Sequence, residues 1–291
     1  MSAVPTRPVL RYHGGKWILA PWIISHFPAH RVYVEPFGGA ASILMRKGRS
    51  YAEVYNDLDG EVVNLFRVLR EPKTAEHLVE LIRLTPFARE EFVGAYEPSD
   101  DAIEQARRTV VKSFMGFGSA AVTQKSPTLP GAGFKTNTGF RSNSNRSGTT
   151  PARDWLNLPE CIALVCGRLQ GVVIENKDGL AVMQTHDTPE TLHYVDPPYV
   201  HSTRAAKQWR TPQAYKHEMS DEDHERLAFS LHGLAGKVVL SGYDCPLYQT
   251  LYKDWRRVEK AAHADGARDR TESLWMNFDT ACLFTHEGAT G

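Results

Sequence analysis

A near-continuous apolar run, Thr191 to Val195, stops at Asp196-Pro197-Pro198-Tyr199. No other stretch narrows the possible folds as far. Apolar residues in unbroken succession suit a strand buried on both faces, which is the strand of a parallel sheet covered by helices. Two prolines cannot donate to a ladder, so the strand must end there. It then delivers one acid and one ring to the carboxyl edge of the sheet, where open α/β sheets bind ligands. A carboxylate, a rigid turn with free carbonyls and a flat ring suit a planar amino-purine. An Asp-Pro turn is also an ordinary way to end a strand, so its surroundings decide.

Those surroundings alternate strands with helices. Strand-like runs fall at 32–36, 51–56, 172–175, 192–196, 237–242 and 257–262, with 274–284 as one interrupted strand. The pattern predicts an α/β fold with a mixed sheet of about seven strands. Helices are predicted at 59–70, where Val62, Val63, Phe66 and Leu69 share a stripe, and from Ser220, whose acids cap a helix closed by Gly236. Between 71 and 170 the strands vanish: helical patterns at 73–84, 89–96, 100–114 and 152–169 surround a Gly, Ser, Thr, Asn and Pro-rich stretch at 119–150. A stretch that long without periodicity is functional or disordered. The chain therefore divides into a discontinuous α/β domain, 1–70 and 171–291, and a helical insert, 71–170, carrying a mobile basic loop at about 119–150.

Charge marks the same insert. The 291 residues balance 34 Lys and Arg against 34 Asp and Glu, yet 105–153 holds no acid. Arg107, Arg108, Lys112, Lys125, Lys135, Arg141, Arg146 and Arg153 make it +8 and leave −8 elsewhere. Such segregation is what a polyanion feels. No apolar run reaches membrane-spanning length and the first residues lack a signal-peptide core, so a cytoplasmic protein with no membrane partner is expected. The four cysteines, Cys161, Cys166, Cys245 and Cys282, have no zinc-type spacing, so free structural thiols and no metal are expected.

Two further constellations point to a nucleotide-like ligand. Glu35-Pro36-Phe37-Gly38-Gly39-Ala40-Ala41-Ser42 reads as strand end, tight turn and helix start, with glycines for close backbone approach and a helix N-terminus for an anion. The next strand ends Tyr55-Asn56-Asp57-Leu58-Asp59, and an acid there accepts ribose hydroxyls in nucleotide-binding sheets. Asp57 or Asp59 could do so, and either could instead cap the following helix.

Taken in order, Tyr12-His13-Gly14-Gly15-Lys16, the Glu35 turn, Tyr55–Asp59, the insert, Tyr194–Tyr199 and Val239-Leu240-Ser241-Gly242-Tyr243 resemble the adenine-N6 DNA methyltransferases of the DNA adenine methylase type, found in phages and restriction systems. The likeness runs from Arg11 to Asn277. It implies a Rossmann-like methyltransferase fold, S-adenosylmethionine as donor with S-adenosylhomocysteine as product, and double-stranded DNA as partner. By the same resemblance Tyr12 packs on the cofactor and Lys16 lies near cofactor and DNA. Glu35, Phe37 and Gly39 surround the methionine moiety, Asp57 takes the ribose and Asp178 meets the cofactor's adenine. Asp196, Pro197, Pro198 and Tyr199 form the catalytic motif, with Asp196 also touching the cofactor. Ala41 departs from relatives that carry glycine there.

The expected chemistry follows. Adenine's amino lone pair is delocalised; hydrogen bonds to Asp196 and the Pro197 carbonyl would favour a pyramidal nitrogen and stabilise its growing charge. The base must leave the duplex, and Tyr199 would stack on it. Lys135, Arg141, Asn143 and Arg146 of the insert are expected on DNA, with Phe134 and Phe140 available to wedge or stack. Arg204 and Lys207, within the basic and aromatic run 202–210, are expected to flank the flipped base. The run from Arg270 to Asn277 is expected to be structural, with Glu272 and Trp275 near the site mouth. The competing readings are cytosine-N4 methylation of DNA, adenine methylation of RNA, and a catalytically silent DNA-binding module. The recognition sequence is not legible.

Overall fold

A computed structural model of the chain describes residues 5–116, 139–141, 150–203, 216–264 and 268–279. Seven strands form one sheet in the order β3-β2-β1-β4-β5-β7-β6. They are β1 (Val32–Glu35), β2 (Ala52–Asn56), β3 (Val172–Glu175), β4 (Thr191–Val195), β5 (Lys237–Gly242), β6 (Arg256–Ala264) and β7 (Arg268–Met276). The first five run parallel; β7 is antiparallel to both β5 and β6. From β1 the chain proceeds to β2 on one side, and from β4 to β5 on the other. The crevice at that reversal is where doubly wound sheets hold ligands. Pairing Glu35 with Tyr55, Asn56 with Glu175 and Val34 with His193 brings the carboxyl ends of four strands level. In keeping with the near-continuous apolar run, all five residues of β4 are buried, Thr191 and His193 among them.

The sheet separates two apolar layers. Val239 joins one core while its neighbours Val238 and Leu240 join the other, as a period of two demands. The first layer holds α1 (Ala20–Ile24), α2 (Ser42–Arg46), α3 (Gly60–Arg70), α4 (Pro72–Leu84), α5 (Arg89–Gly94), α6 (Ala102–Met115), α7 (Pro151–Leu156) and α8 (Leu158–Leu169). The second is built from α9 (Gly179–Thr185), α10 (Asp221–His232) and α11 (Pro246–Leu251), packed around Tyr248, Tyr252 and Trp275. Between 71 and 170, α6 packs on α4 and α5 and also on α3 before them, and α8 packs on α3 and α4. Phe66 of α3 and Phe92, Phe114 and Trp155 of the insert therefore share one core with the sheet.

Three predicted boundaries are corrected. The helix expected at 152–169 is two helices, because Asn157 ends α7 and precedes a helix with Pro159 in its first turn. Helix α10 closes at Gly233, not Gly236; the Gly236 N–H goes instead to Asp187 Oδ1 at 2.8 Å. The last strand is Arg268–Met276 rather than 274–284, because it pairs with the whole of β6, from Arg256 opposite Met276 to Ala264 opposite Arg268. The predicted capping box at Ser220 is present, with Asp223 as its reciprocal partner. No helix among the described residues is long and apolar enough to cross a membrane.

Candidate active site

The glycine turn after β1 has little freedom. Gly38 donates its N–H to Asn56 O at 2.7 Å, and a Cβ there would lie 2.1 Å from the Tyr55 ring. Gly39 takes φ +47°, with the Tyr12 ring 3.1 Å from where a Cβ would sit. Ala41 also adopts a left-handed φ, +52°, at the position where the resemblance favours glycine. Tyr55 donates its hydroxyl to Gly39 O at 2.7 Å, so β2 clamps the turn from below.

Glu35 ends β1 almost wholly buried. Its Oε2 accepts from the Tyr33 hydroxyl at 2.8 Å and from Leu44 N at 3.0 Å. The first turn of α2 thus gives the Leu44 N–H to Glu35 rather than to an external anion. Burial pushes the Glu35 carboxyl up to about 8; the two hydrogen bonds pull against that, and the charge on Asp196 adds to it.

The acids after β2 divide their work. Asp59 caps α3, accepting Glu61 N at 3.0 Å, and pairs with Lys216 at 2.8 Å. Asp57 faces the cleft. Its Oδ2 accepts Gly39 N and its Oδ1 accepts Asp59 N, each at 2.8 Å. Burial raises its affinity for a proton above the ordinary aspartate value. Asp178 caps α9 through Leu180 N and Ala181 N, with its exposed side chain at the cleft. The Phe37 ring lies against Gly179, 3.1 Å from where a Cβ would be. Asn56 ties these turns together: its amide donates to Pro36 O at 2.8 Å and Lys177 O at 3.0 Å, and accepts Lys177 N at 2.9 Å. Sequence reading assigned Asn56 no role, since its partners lie on separate segments.

Between these turns lies a cavity of about 250 Å³, lined by Tyr12, Lys16, Glu35, Gly39, Asp57 and Asp178 and continuing to Asp196 and Pro198. Lys16 Nζ is held 2.8 Å from Gly14 O and 3.0 Å from Asp196 Oδ2, with Glu272 Oε1 at 3.8 Å. Asp196 Oδ1 is buried and accepts no hydrogen bond from a described residue. Burial pushes the Asp196 carboxyl up to about 6; Lys16 opposes the rise and Glu272 adds to it. Tyr199 is buried, with Lys16 Nζ 4.7 Å from its ring centre and Tyr243 edge-on at 4.6 Å. Its hydroxyl donates to Glu272 and lies 3.3 Å from Ser241 Oγ.

Glu272 therefore stands behind the turn that follows β4, not at the mouth of the cleft, and Trp275 belongs to the second core. Both were displaced from expectation by β7: its pairing with β5 sets Ser273 opposite Gly242 and Leu274 opposite Ser241, which draws Glu272 inward.

The basic segment is partly neutralised in space. Arg107 pairs with Glu91 and Glu104, Arg108 with Glu104, Lys112 with Glu61 and Arg141 with Asp154 at 3.6 Å. All four acids lie just outside 105–153 or on α3. Arg107 and Arg108 hold Glu104 down to about 2. Phe140 packs on Phe87 and Phe92. Lys135, Asn143, Arg146, Arg204 and Lys207 lie outside the described residues.

Residues 12–265 match the family model described as D12 class N6 adenine-specific DNA methyltransferase. No match was found among the curated proteins.

Proposed function

Because the chain belongs to the D12 class of N6 adenine-specific DNA methyltransferases, we propose that it transfers a methyl group from S-adenosylmethionine to the N6 of an adenine turned out of duplex DNA. The cleft suits that donor. The two oxygens of Asp57 each accept one backbone N–H and each keep a lone pair for a ribose hydroxyl. Asp178 uses one oxygen for its cap, leaving the other for the exocyclic amine of the cofactor's adenine. Tyr12 and Phe37 supply apolar walls, and Glu35 meets the methionine end. When bound, the donor supplies a methyl group on an already electrophilic sulfonium, so the protein's task is orientation.

The observation that carries the reading is the buried Asp196 Oδ1 at the end of β4, which has no hydrogen-bond partner among the described residues. It is an acceptor placed where an amine can donate. A hydrogen bond there, with a second to the Pro197 carbonyl, turns the amine's lone pair out of conjugation. The negative carboxylate then stabilises the charge that grows on nitrogen. Turning the base out costs a few kcal/mol, offset by stacking on an aromatic ring, for which Tyr199 is the proposed partner. Lys16 and the polar residues Lys135, Arg141, Asn143, Arg146, Arg204 and Lys207 are proposed to hold the DNA.

The test is transfer of a tritiated methyl group from S-adenosylmethionine to unmethylated duplex DNA, followed by digestion to nucleosides. Label in N6-methyldeoxyadenosine is expected, and Asp196→Ala is expected to bind the donor yet lose at least about a hundredfold in transfer. Label in N4-methyldeoxycytidine, label in RNA alone, or full transfer by the variant would refute the proposal. Sequencing methylated DNA from a methylase-deficient host expressing the protein would reveal the recognition site.

A further inference from the structure

Behind the catalytic turn lies a buried carboxylate that methyl transfer does not itself require. Glu272 is 3 % exposed and comes from β7, at the far side of the sheet from the glycine turn. Its Oε1 receives the Tyr199 hydroxyl and the Ser241 hydroxyl, the latter at 2.6 Å, and stands 3.8 Å from Lys16 Nζ. A carboxylate is seldom buried without partners, because removal from water penalises its charged form. Two hydroxyls donate to this one oxygen and an ammonium stands within ion-pair range of it; Lys16 touches Asp196 and Tyr199 follows it in the turn.

Lys16 donates to Gly14 O, lies 3.0 Å from Asp196 Oδ2 and forms a longer ion pair, 3.8 Å, with Glu272 Oε1. The ammonium is thus shared between two carboxylates. Left to Asp196 alone, its full charge would weaken that carboxylate as an acceptor and oppose positive charge on the reacting nitrogen. Sharing the ammonium with Glu272 leaves Asp196 with net negative charge. The same carboxylate pins the Tyr199 hydroxyl, so the ring stays against Lys16 and the turn keeps its shape.

We propose that Glu272 is a positioning residue for methyl transfer: it draws part of the Lys16 charge away from Asp196 and fixes the Tyr199 ring beside it. This rests on the methyl-transfer reading above. Five other groups face or surround Asp196: Lys16 from the N-terminal loop, Glu35 from β1, Tyr194 and Tyr199 from β4 and its turn, and Tyr248 from α11. Of these and Glu272, only Glu272 is changed in the test.

Two readouts decide it. The first uses the protein without cofactor or DNA: the Asp196 carboxyl is titrated by 13C NMR of aspartate-labelled protein, with Asp196→Asn to assign the signal. Glu272 raises the Asp196 value, about 6 in the parent; Glu272→Gln removes that charge, so the midpoint is expected to fall by half a pH unit or more. The second is transfer at saturating donor and DNA. Glu272→Gln is expected to lose tenfold or more in kcat, with donor Kd by calorimetry within twofold of the parent. Glu272→Asp keeps the charge on a shorter arm; the Asp196 midpoint should return to the parental value while kcat stays threefold or more below it. An unmoved midpoint in Glu272→Gln, or a kcat within twofold of the parent, would overturn the proposal. If Glu272→Gln does not fold, Glu272→Asp decides, and a parental kcat in that variant overturns it. A parent protein that labels no DNA would instead overturn the methyl-transfer reading, and this inference with it.

Discussion

A carboxylate carried from water to the end of a buried strand prefers to keep its proton, and two residues of the site show the consequence. Glu35 is pushed up to about 8 and Asp196 to about 6, each chiefly by burial. The folded chain holds these protons more tightly than the unfolded chain does. Their contribution to stability is therefore full below the unfolded carboxylate value, near ~4, and is lost as pH rises through about 6 for Asp196 and about 8 for Glu35. Glu35→Gln carries no such dependence. Its stability relative to the parent is expected to rise between pH 5 and 9 by on the order of 2 kcal/mol or more, measured by denaturant unfolding at constant ionic strength. A constant difference across that range would contradict the assignment. For the proposed methyl transfer the sign is opposite, since only the ionised Asp196 carries the negative charge that would stabilise the growing charge on the amine, and it is the stronger acceptor. The rate of methyl transfer is expected to fall below pH about 6 with the proton on Asp196, and a rate that is flat down to pH 5 would contradict that.

At the scale of elements, the site is a set of turns held at one level by side chains that cross between strands. Asn56 binds the turn after β1 through Pro36 O and the turn after β3 through Lys177. Asn56→Ala leaves those groups without partners at a cost of roughly 2 to 3 kcal/mol. Thermal melting should register the loss, and donor affinity should weaken tenfold or more, because both turns line the cleft; unchanged affinity would assign Asn56 to stability alone. Much of this level was legible in the sequence. Which of Asp57 and Asp59 caps α3 was left open, but the apolar run of β4 and the cap at Ser220 are local signals, carried within a few residues. The break at Asn157 and the shifted end of α10 were not. Gly233 and Gly236 both suit a helix end, and only the pairing of Gly236 with Asp187 distinguishes them. The start of β7 was likewise set by β6, a partner that periodicity along the strand does not reveal.

For the molecule as a whole, charge is arranged in space rather than along the chain. Glu53 on β2 accepts Lys47 at 2.6 Å and both arms of Arg168 on α8 at 2.6 and 2.9 Å, all three side chains being buried. The cluster fastens the insert's last helix to the sheet. Glu53→Ala would strand two buried cations and is expected to cost about 3–5 kcal/mol, read from denaturant unfolding; a loss below about 1 kcal/mol would show that the cations reach water instead. The basic run 105–153 follows the same logic, since acids beyond it or on α3 answer four of its five described basic residues. The +8 read from the sequence therefore overstates the field that DNA meets. Arg141 must leave Asp154 to reach a phosphate. Arg141→Ala combined with Arg146→Ala is expected to flatten the salt dependence of DNA binding by about 0.9 in log–log slope for each phosphate no longer neutralised. An unchanged slope would make this segment a linker.

What the sequence determined by itself was where the strands end and at which edge of the sheet the acidic and glycine-rich turns emerge. Apolar continuity, strand-stopping prolines and helix caps act over a few residues, so Asp196, Asp57 and the glycine turn could be placed before any coordinates. What only the tertiary structure decided was which charges meet. Glu272 binds Tyr199 across 73 residues of chain, Arg168 reaches Glu53 across 115, and the basic run is answered by acids outside it. Electrostatic energy falls with distance through space and grows with exclusion of water, and neither quantity is written in the order of residues.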